Sequence, residues 1–463
     1  MPESDLRPLF DPARVIFVGA SETNLFSAGI ARYLIGHGYA DRLTMVRPGA
    51  GTVFGRPAYP TVAAAAAAGP FDLAIVAIPA PAVGEALAEL GRIACRLAIV
   101  ESAGFAESGP EGAARQAGLK ELIRSAGIRV LGPNCVGVVN TANGFASTEV
   151  QPESLVPGGV ALIAQSGIFG SILLDAAPAR GLRLSKAITM GNRLDLDEAD
   201  FLNFLADDPE TRVVAMYLEG VADGPRFLRA MERCTARKPV FVLKGGRTAA
   251  GAKAIGSHTA SLAGRDAVFS GALRQAGGRR VENLEELLDA ALACSLCPAP
   301  AGPRVGLVTT SGSQGILAAD VLTSRGLQLA ELDPATLAAL RAKVPPWVPL
   351  GNPLDFGPSG LFAEGVAAQL ADPNVDALLL LVTIPWGSIR PAVEAGMPMS
   401  ALLGEPEMLR AAARRKPILV SHLGFPPFLS RMRAAFGDFL PIYPDSERAA
   451  RALSYLAGFR KSS

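Results

Sequence analysis

His258 is one of three histidines in the chain, and its neighbours are small: Gly256 and Ser257 precede it, and Thr259, Ala260 and Ser261 follow. A neutral imidazole, with an ordinary pKa near ~6.5, is nucleophilic at pH 7, and histidine is one of the side chains that form covalent intermediates. A stretch so poor in bulk has little to bury. It is expected to run as a loop that carries one ring into a site; a solvated or capping histidine in a Gly/Ser loop is the plainer alternative. A second chemical feature lies near the start. The run V-I-F-V is followed by Gly19-Ala20-Ser21, a β-α turn in which glycine permits a tight bend and the next helix start offers free N–H groups to a phosphate. The G-x-G-x-x-G of a dinucleotide site is absent, since Ser21 and Asn24 occupy two of its glycine positions. After the second strand, L-T-M-V, comes Arg47 rather than the acid that bonds a ribose 2′-OH. A cation there suits a ligand with an extra phosphate on that ribose, NADP or coenzyme A, or else the domain is a bare Rossmann-like scaffold.

These groups must be held by regular elements, and the pattern names them. Short apolar runs ending in Gly, Ser or Pro alternate with Ala-rich helical stretches: R-V-I-F-V-G-A-S, D-L-A-I-V-A-I-P, G-V-A-L-I-A-Q-S-G, R-V-V-A-M-Y-L-E-G, P-V-F-V-L-K-G-G and R-V-G-L-V-T-T-S-G. Buried parallel strands read this way, and alternation with helices implies β-α-β units in doubly wound α/β domains. The 463 residues suggest about three domains. Pro/Gly-rich stretches at 150–158 and 295–303 divide them into 1–150, 151–299 and 300–463.

Composition narrows the function. With 44 Lys+Arg against 43 Asp+Glu, the chain has no basic excess for nucleic acid or a membrane surface. Five scattered cysteines fit a reduced compartment. Cys294 and Cys297 form a C-x-x-C with no second ligand pair beside it, so no metal site is expected. The N-terminus lacks a signal-peptide pattern, and no apolar run reaches the ~18 residues of a membrane span. A cytoplasmic protein is expected.

The second and third parts resemble one another. Ser166-Gly167-x-x-Gly170 and Arg180-Gly181-Leu182 recur as Ser311-Gly312-x-x-Gly315 and Arg325-Gly326-Leu327. Gly191-Asn192-x-x-Asp195 recurs as Gly351-Asn352-x-x-Asp355, Asp208-Pro209 as Asp372-Pro373, and Lys238-Pro239 as Lys416-Pro417. Two similar α/β domains in tandem follow. What both copies share belongs to the fold. Aligned on Asp-Pro, Thr383 stands opposite Glu219, and the second copy has no G-S-H-T segment. Glu219 and His258 are therefore the better candidates for chemistry.

The motifs V-G-A-S, A-I-P-A, S-A-G-F, G-P-N-C, Q-S-G, G-N-R-L-D, Y-L-E-G, L-K-G-G-R-T and G-S-H-T-A-S-L-A-G together resemble the α subunit of NDP-forming (ADP-forming) acyl-CoA synthetases, in the succinyl-CoA synthetase superfamily. The resemblance spans nearly the whole chain and implies a Rossmann-like CoA-binding domain followed by two flavodoxin-like domains, the last a degenerate repeat. It implies that His258 is transiently phosphorylated, that Glu219 orients it, and that Ser166, Gly167 and Asn192 form a phosphate cradle. Gly19, Ser21, Thr23, Asn24, Arg47, Pro79 and Ser102 would line the CoA groove. Val46-Arg47-Pro48-Gly49 departs from the family's Asn-Pro followed by Lys. Glu101 places an acid near the implied thiol end of CoA, where a substrate preference and a local hydrogen bond both remain open. S-G-S-Q-G in the third part is less Gly-rich than the family's loop.

The implied reaction is acyl-CoA + phosphate + ADP ⇌ acid + CoA + ATP. The chain has no G-x-x-x-x-G-K-[ST] loop, so a separate ATP-grasp β subunit, holding ATP/ADP and Mg2+ in an α2β2 assembly, is implied. The Gly/Ala/Ser content of 245–264 is compatible with a hinge that lets the histidine swing. A non-catalytic CoA-binding regulatory subunit and an NADP-linked oxidoreductase are the competing readings. The carboxylic acid substrate is not legible.

Overall fold

The computed structural model describes residues 5–49, 51–258, 265–357 and 359–459, without the side chains of 255–258. The described chain divides into two compact units, residues 1–282 and 283–463. The first unit contains two seven-stranded sheets. Sheet one comprises β1 (Val15–Val18), β2 (Leu43–Val46), β3 (Gly51–Val53), β4 (Arg56–Tyr59), β5 (Leu73–Val76), β6 (Leu97–Val100) and β7 (Arg129–Leu131), in the order β3-β4-β2-β1-β5-β6-β7. Sheet two comprises β8 (Gly137–Asn140), β9 (Phe145–Ala146), β10 (Val160–Ala164), β11 (Leu184–Thr189), β12 (Val213–Leu218), β13 (Val240–Lys244) and β14 (Arg279–Val281), in the order β14-β13-β12-β10-β11-β8-β9.

The six apolar runs all form strands. V-I-F-V and both L-A-I-V segments are buried at every position, as expected of strands covered on both faces. The sheets are nevertheless mixed rather than purely parallel. Val53 and Arg56 pair across a two-residue turn, antiparallel, with both Phe54 (φ 48°) and Gly55 (φ 71°) left-handed. Such turns match the twist of a hairpin. β8 joins β11 antiparallel, and β9 joins β8. Residues 137–146 thus belong to sheet two, ahead of the Pro/Gly-rich stretch at 150–158.

The second unit begins at Asn283, and its helix Leu284–Leu296 precedes the stretch at 295–303. Its sheet comprises β15 (Arg304–Thr309), β16 (Gln328–Leu329), β17 (Leu354–Asp355), β18 (Ala377–Val382), β19 (Ile418–His422) and β20 (Ile442–Tyr443), in the order β16-β15-β18-β19-β20, with β17 also on β15. That order repeats β11-β10-β12-β13-β14 strand for strand, so the tandem copies share a topology. The repeated lysines do the same work in both. Lys238 Nζ donates to the carbonyls of Leu205 and Asp208, and Lys416 Nζ to those of Leu370 and Asp372. Each cation satisfies the C-terminal carbonyls of the helix before the central strand. The Gly-Asn pairs, by contrast, differ in context. Gly191-Asn192 directly follows β11, whereas Gly351-Asn352 follows a helix, Pro334–Arg341, and leads into β17. An inserted helix therefore separates the two, and their match was one of spelling. No helix among the described residues is long and apolar enough to cross a membrane.

Candidate functional site

In sheet one the chain runs from β1 outward to β2 and then returns to the other side of β1 as β5. Ligand crevices open at such a reversal, outside the carboxyl ends of the strands. The residues expected to line a CoA groove all follow these carboxyl ends. Gly19 to Asn24 follow β1, Arg47 follows β2, Pro79 follows β5 and Ser102 follows β6. Gly19 has φ +99°, and a Cβ there would lie 2.2 Å from the Ala77 carbonyl oxygen. Only glycine lets the β1 and β5 turns meet this closely. Ser21 Oγ accepts from the amides of Thr23 and Asn24, and Asn24 caps the helix Leu25–Leu34 by accepting from Ser27 N–H. The Arg47 guanidinium, half-buried, has no hydrogen bond or ion pair among the described residues. Ser102 is buried, and its hydroxyl accepts from Ile78 N–H at 3.1 Å, so it ties the β5 and β6 ends together.

Sheet two reverses in the same way between β10 and β12. Ser166 occupies the N-cap position of the helix Gly167–Ala176 with no side-chain cap bond. The first N–H groups of that helix therefore stand at the crevice. A Cβ on Gly167 would lie 2.9 Å from Val136 Cγ2, which shows how closely the first domain's loop approaches this helix start. Glu219 ends β12 on the other side of the reversal and is 3% exposed. Tyr217 Oη donates to its Oε1 at 3.4 Å, and burial together with the Glu219 charge pushes Tyr217 up to about 12.

Asn192 is placed differently from expectation. Its amide Nδ2 donates to Glu107 Oε2 at 2.5 Å and to Gln116 Oε1 at 2.8 Å. Burial opposes the Glu107 charge, but the bonds from Asn192 and the Phe105 and Gly104 amides outweigh it and hold that carboxyl below its ordinary value. The Asn192 side chain is thus engaged in joining the two domains of this unit.

The segment expected to be a loop is helical from Ala249 to His258. Four alanines in ten residues supply helix propensity that outweighs the glycines. Thr248 Oγ1 accepts from Gly251 N–H at 3.1 Å, as an N-cap does. The His258 imidazole and residues 259–264 lie outside the described residues. Among the described residues, two helices, Ala249–His258 and Asp266–Gln275, separate β13 from β14, against the single helix Pro426–Phe436 between β19 and β20. The extra element is the one that carries the histidine.

Three further side chains converge on Glu219-Gly220. Gln165 Oε1 accepts from the Glu219 and Gly220 amides at 2.8 and 3.2 Å. Lys244 Nζ donates to the Glu219 carbonyl at 2.7 Å, and Arg193 Nη1 to the Gly220 carbonyl at 2.7 Å. The sequence reading did not single these out, although the repeat could have: Thr310 stands opposite Gln165, and His422 opposite Lys244.

Comparison with known proteins agrees with this architecture. Residues 13–141 match the CoA binding domain, 157–294 the succinyl-CoA ligase like flavodoxin domain and 305–446 the ligase-CoA domain. The chain is 37% identical over 320 residues to the acetate–CoA ligase [ADP-forming] II subunit alpha of Pyrococcus furiosus, covering 68% of this chain and 69% of that one. It is 32% identical to the I subunit alpha of the same organism, covering 98% of both. It spans 57% of the length of acetate–CoA ligase [ADP-forming] II of Archaeoglobus fulgidus. Among solved structures, the dinucleotide forming acetyl-coenzyme A synthetase 1 of Ca. Korarchaeum cryptofilum, in complex with phosphate and ADP, superposes with a TM-score of 0.86 at 30% identity. It covers 98% of this chain and 97% of that one. The chain belongs to the family of ADP-forming acetyl-CoA synthetase α subunits, built on the succinyl-CoA ligase plan.

Proposed function

We propose that the chain is the α subunit of an ADP-forming acyl-CoA synthetase, interconverting acyl-CoA + phosphate + ADP and acid + CoA + ATP through a phosphohistidine at His258. The observation that carries this reading is the layout of sheet two. A helix start at Ser166-Gly167 and the Glu219 carboxylate flank one strand reversal, and the histidine-bearing helix leaves the neighbouring strand β13. The N–H groups at Gly167 offset phosphate charge, and Glu219 orients the imidazole as it takes up and releases the phosphoryl group.

The crevice of sheet one suits CoA on two counts. The tight Gly19 turn brings the helix start at Asn24 to the carboxyl end of β1, and the Arg47 guanidinium is uncommitted among the described residues. Bound there, CoA supplies the thiol that accepts the acyl group, with Gly19, Ser21, Thr23, Asn24, Arg47 and Pro79 lining its groove. Ser102 supports that groove from beneath. Nucleotide and Mg2+ belong to an ATP-grasp β subunit, in an α2β2 assembly. The substrate is a carboxylic acid; relatives are named for acetate, 4-hydroxybutyrate and trans-feruloyl groups.

The test is to incubate the chain with its ATP-grasp partner, γ-labelled ATP, CoA and a panel of acids. Acid-labile label on His258, released on adding an acid and CoA, is expected. CoA binding without any such label would favour a regulatory subunit.

A further inference from the structure

The Glu219-Gly220 dipeptide is held by side chains at every backbone polar group. Both N–H groups meet Gln165 Oε1, the Glu219 carbonyl meets Lys244 and the Gly220 carbonyl meets Arg193. Buried backbone groups need partners, but a charged one is an expensive choice. Lys244 is 2% exposed, and no carboxylate among the described residues lies within ion-pair distance of it. Its other hydrogen bond goes to the Gly245 carbonyl, and its ammonium sits 5.8 Å above the Phe269 ring. Burial pulls Lys244 below its ordinary value. The charges of Asp266 and Glu219 push it back up, and that of Arg280 pulls it further down.

The second copy of the domain shows that the fold does not require this cation. There Thr310 Oγ1 accepts from Thr383 N–H at 2.8 Å and donates to the Thr383 carbonyl at 2.9 Å. His422 Nδ1 lies 3.0 Å from the Val382 carbonyl, and burial lowers that histidine below its ordinary value, toward the neutral form. Neutral groups thus hold the equivalent turn where Thr383 stands in place of Glu219. The buried cation accompanies the carboxylate.

We propose that Lys244 is a positioning residue for Glu219, fixing the backbone that carries the carboxylate. This rests on the reading that Glu219 orients His258. Glu219 in turn controls when the imidazole is aligned for phosphoryl transfer, so losing Lys244 acts on the transfer step through Glu219.

The test compares the full chain with Lys244→Met, Lys244→Gln, Glu219→Gln and Lys244→Met/Glu219→Gln, each with the ATP-grasp partner and γ-labelled ATP. Lys244→Gln keeps an N–H donor without the charge. CoA affinity within twofold of the parent establishes that each variant is folded. Lys244→Met is expected to slow labelling of His258 at least tenfold. Lys244→Gln, which can still donate to the Glu219 carbonyl, is expected to recover most of that rate. The double variant is expected to be no slower than Glu219→Gln alone. No recovery by Lys244→Gln, or losses that multiply in the double variant, would overturn the role of Lys244 while leaving that of Glu219 intact. Normal labelling by Glu219→Gln would instead remove the Glu219 reading, and absence of label in the parent would remove both.

Discussion

Glu101 ends β6 as a buried acid, 6% exposed, with neither carboxylate oxygen hydrogen-bonded among the described residues. Its Oε1 packs toward Gly137, where a Cβ would lie 3.0 Å away. Burial drives this carboxyl well above its ordinary value, and the nearby Ser147 hydroxyl offsets only part of that. The native state therefore holds a proton that the unfolded chain, with an ordinary value near ~4.3, releases. Stability is full below the unfolded value and is lost as pH rises toward the folded one. The slope for one proton is about 1.4 kcal/mol per pH unit. Glu101→Gln keeps the shape and cannot ionise, so it should match the parent near pH 4 and exceed it increasingly above that. The gain over two pH units is up to about 2.7 kcal/mol, a large share of the ~5–15 kcal/mol that a domain has. Urea unfolding of both proteins at pH 4, 5, 6 and 7 reads this directly. Parallel stability profiles would refute the reasoning, because they would mean that the native carboxyl ionises normally. A neutral Glu101 also adds no repulsion toward anions at the strand ends beside it.

Other parts of the fold make sharper or broader predictions. Gly19→Ala must either push Ala77 away or abandon a left-handed turn, so it should destabilise the first unit by about 2 kcal/mol or more and weaken CoA binding; a normal Kd by calorimetry would show that the turn yields. Glu219→Gln should slow His258 phosphorylation by about tenfold to a hundredfold, the worth of a charge-assisted hydrogen bond of ~1.5–3 kcal/mol, and labelling within twofold of the parent would exclude Glu219. Lys416→Met should lower the stability of the second unit by about 1–2 kcal/mol, because Gln369, Leu370 and Asp372 lose a shared donor at a helix end. An unchanged midpoint in urea would assign that capping to water.

What the sequence made legible was periodic or chemical. Each of the six apolar runs became a largely buried strand, because hydrophobic continuity over four to six residues is dictated by burial on both faces. Short strands at or next to the sheet edges, β3, β4, β8 and β9, escaped, since two to four residues carry no period. The small residues of the histidine segment suit a loop, yet alanine is small and also the strongest helix former, so size alone cannot decide between the two. Glu219 was legible as a candidate because Thr383 replaces it in the second copy, and Ser166 because Ser-Gly-x-x-Gly recurs in both. Gln165, Arg193 and Lys244 were not, because their task is to satisfy another residue's backbone, and a backbone group has no letter in the sequence. Asn192 makes the same point from the opposite side: its motif suggested a phosphate, while its amide is spent on Glu107 and Gln116. Comparing the two copies position by position recovers part of what single residues hide. Where one copy keeps Gln165, Glu219 and Lys244 and the other has Thr310, Thr383 and His422, the same turn is held by different groups.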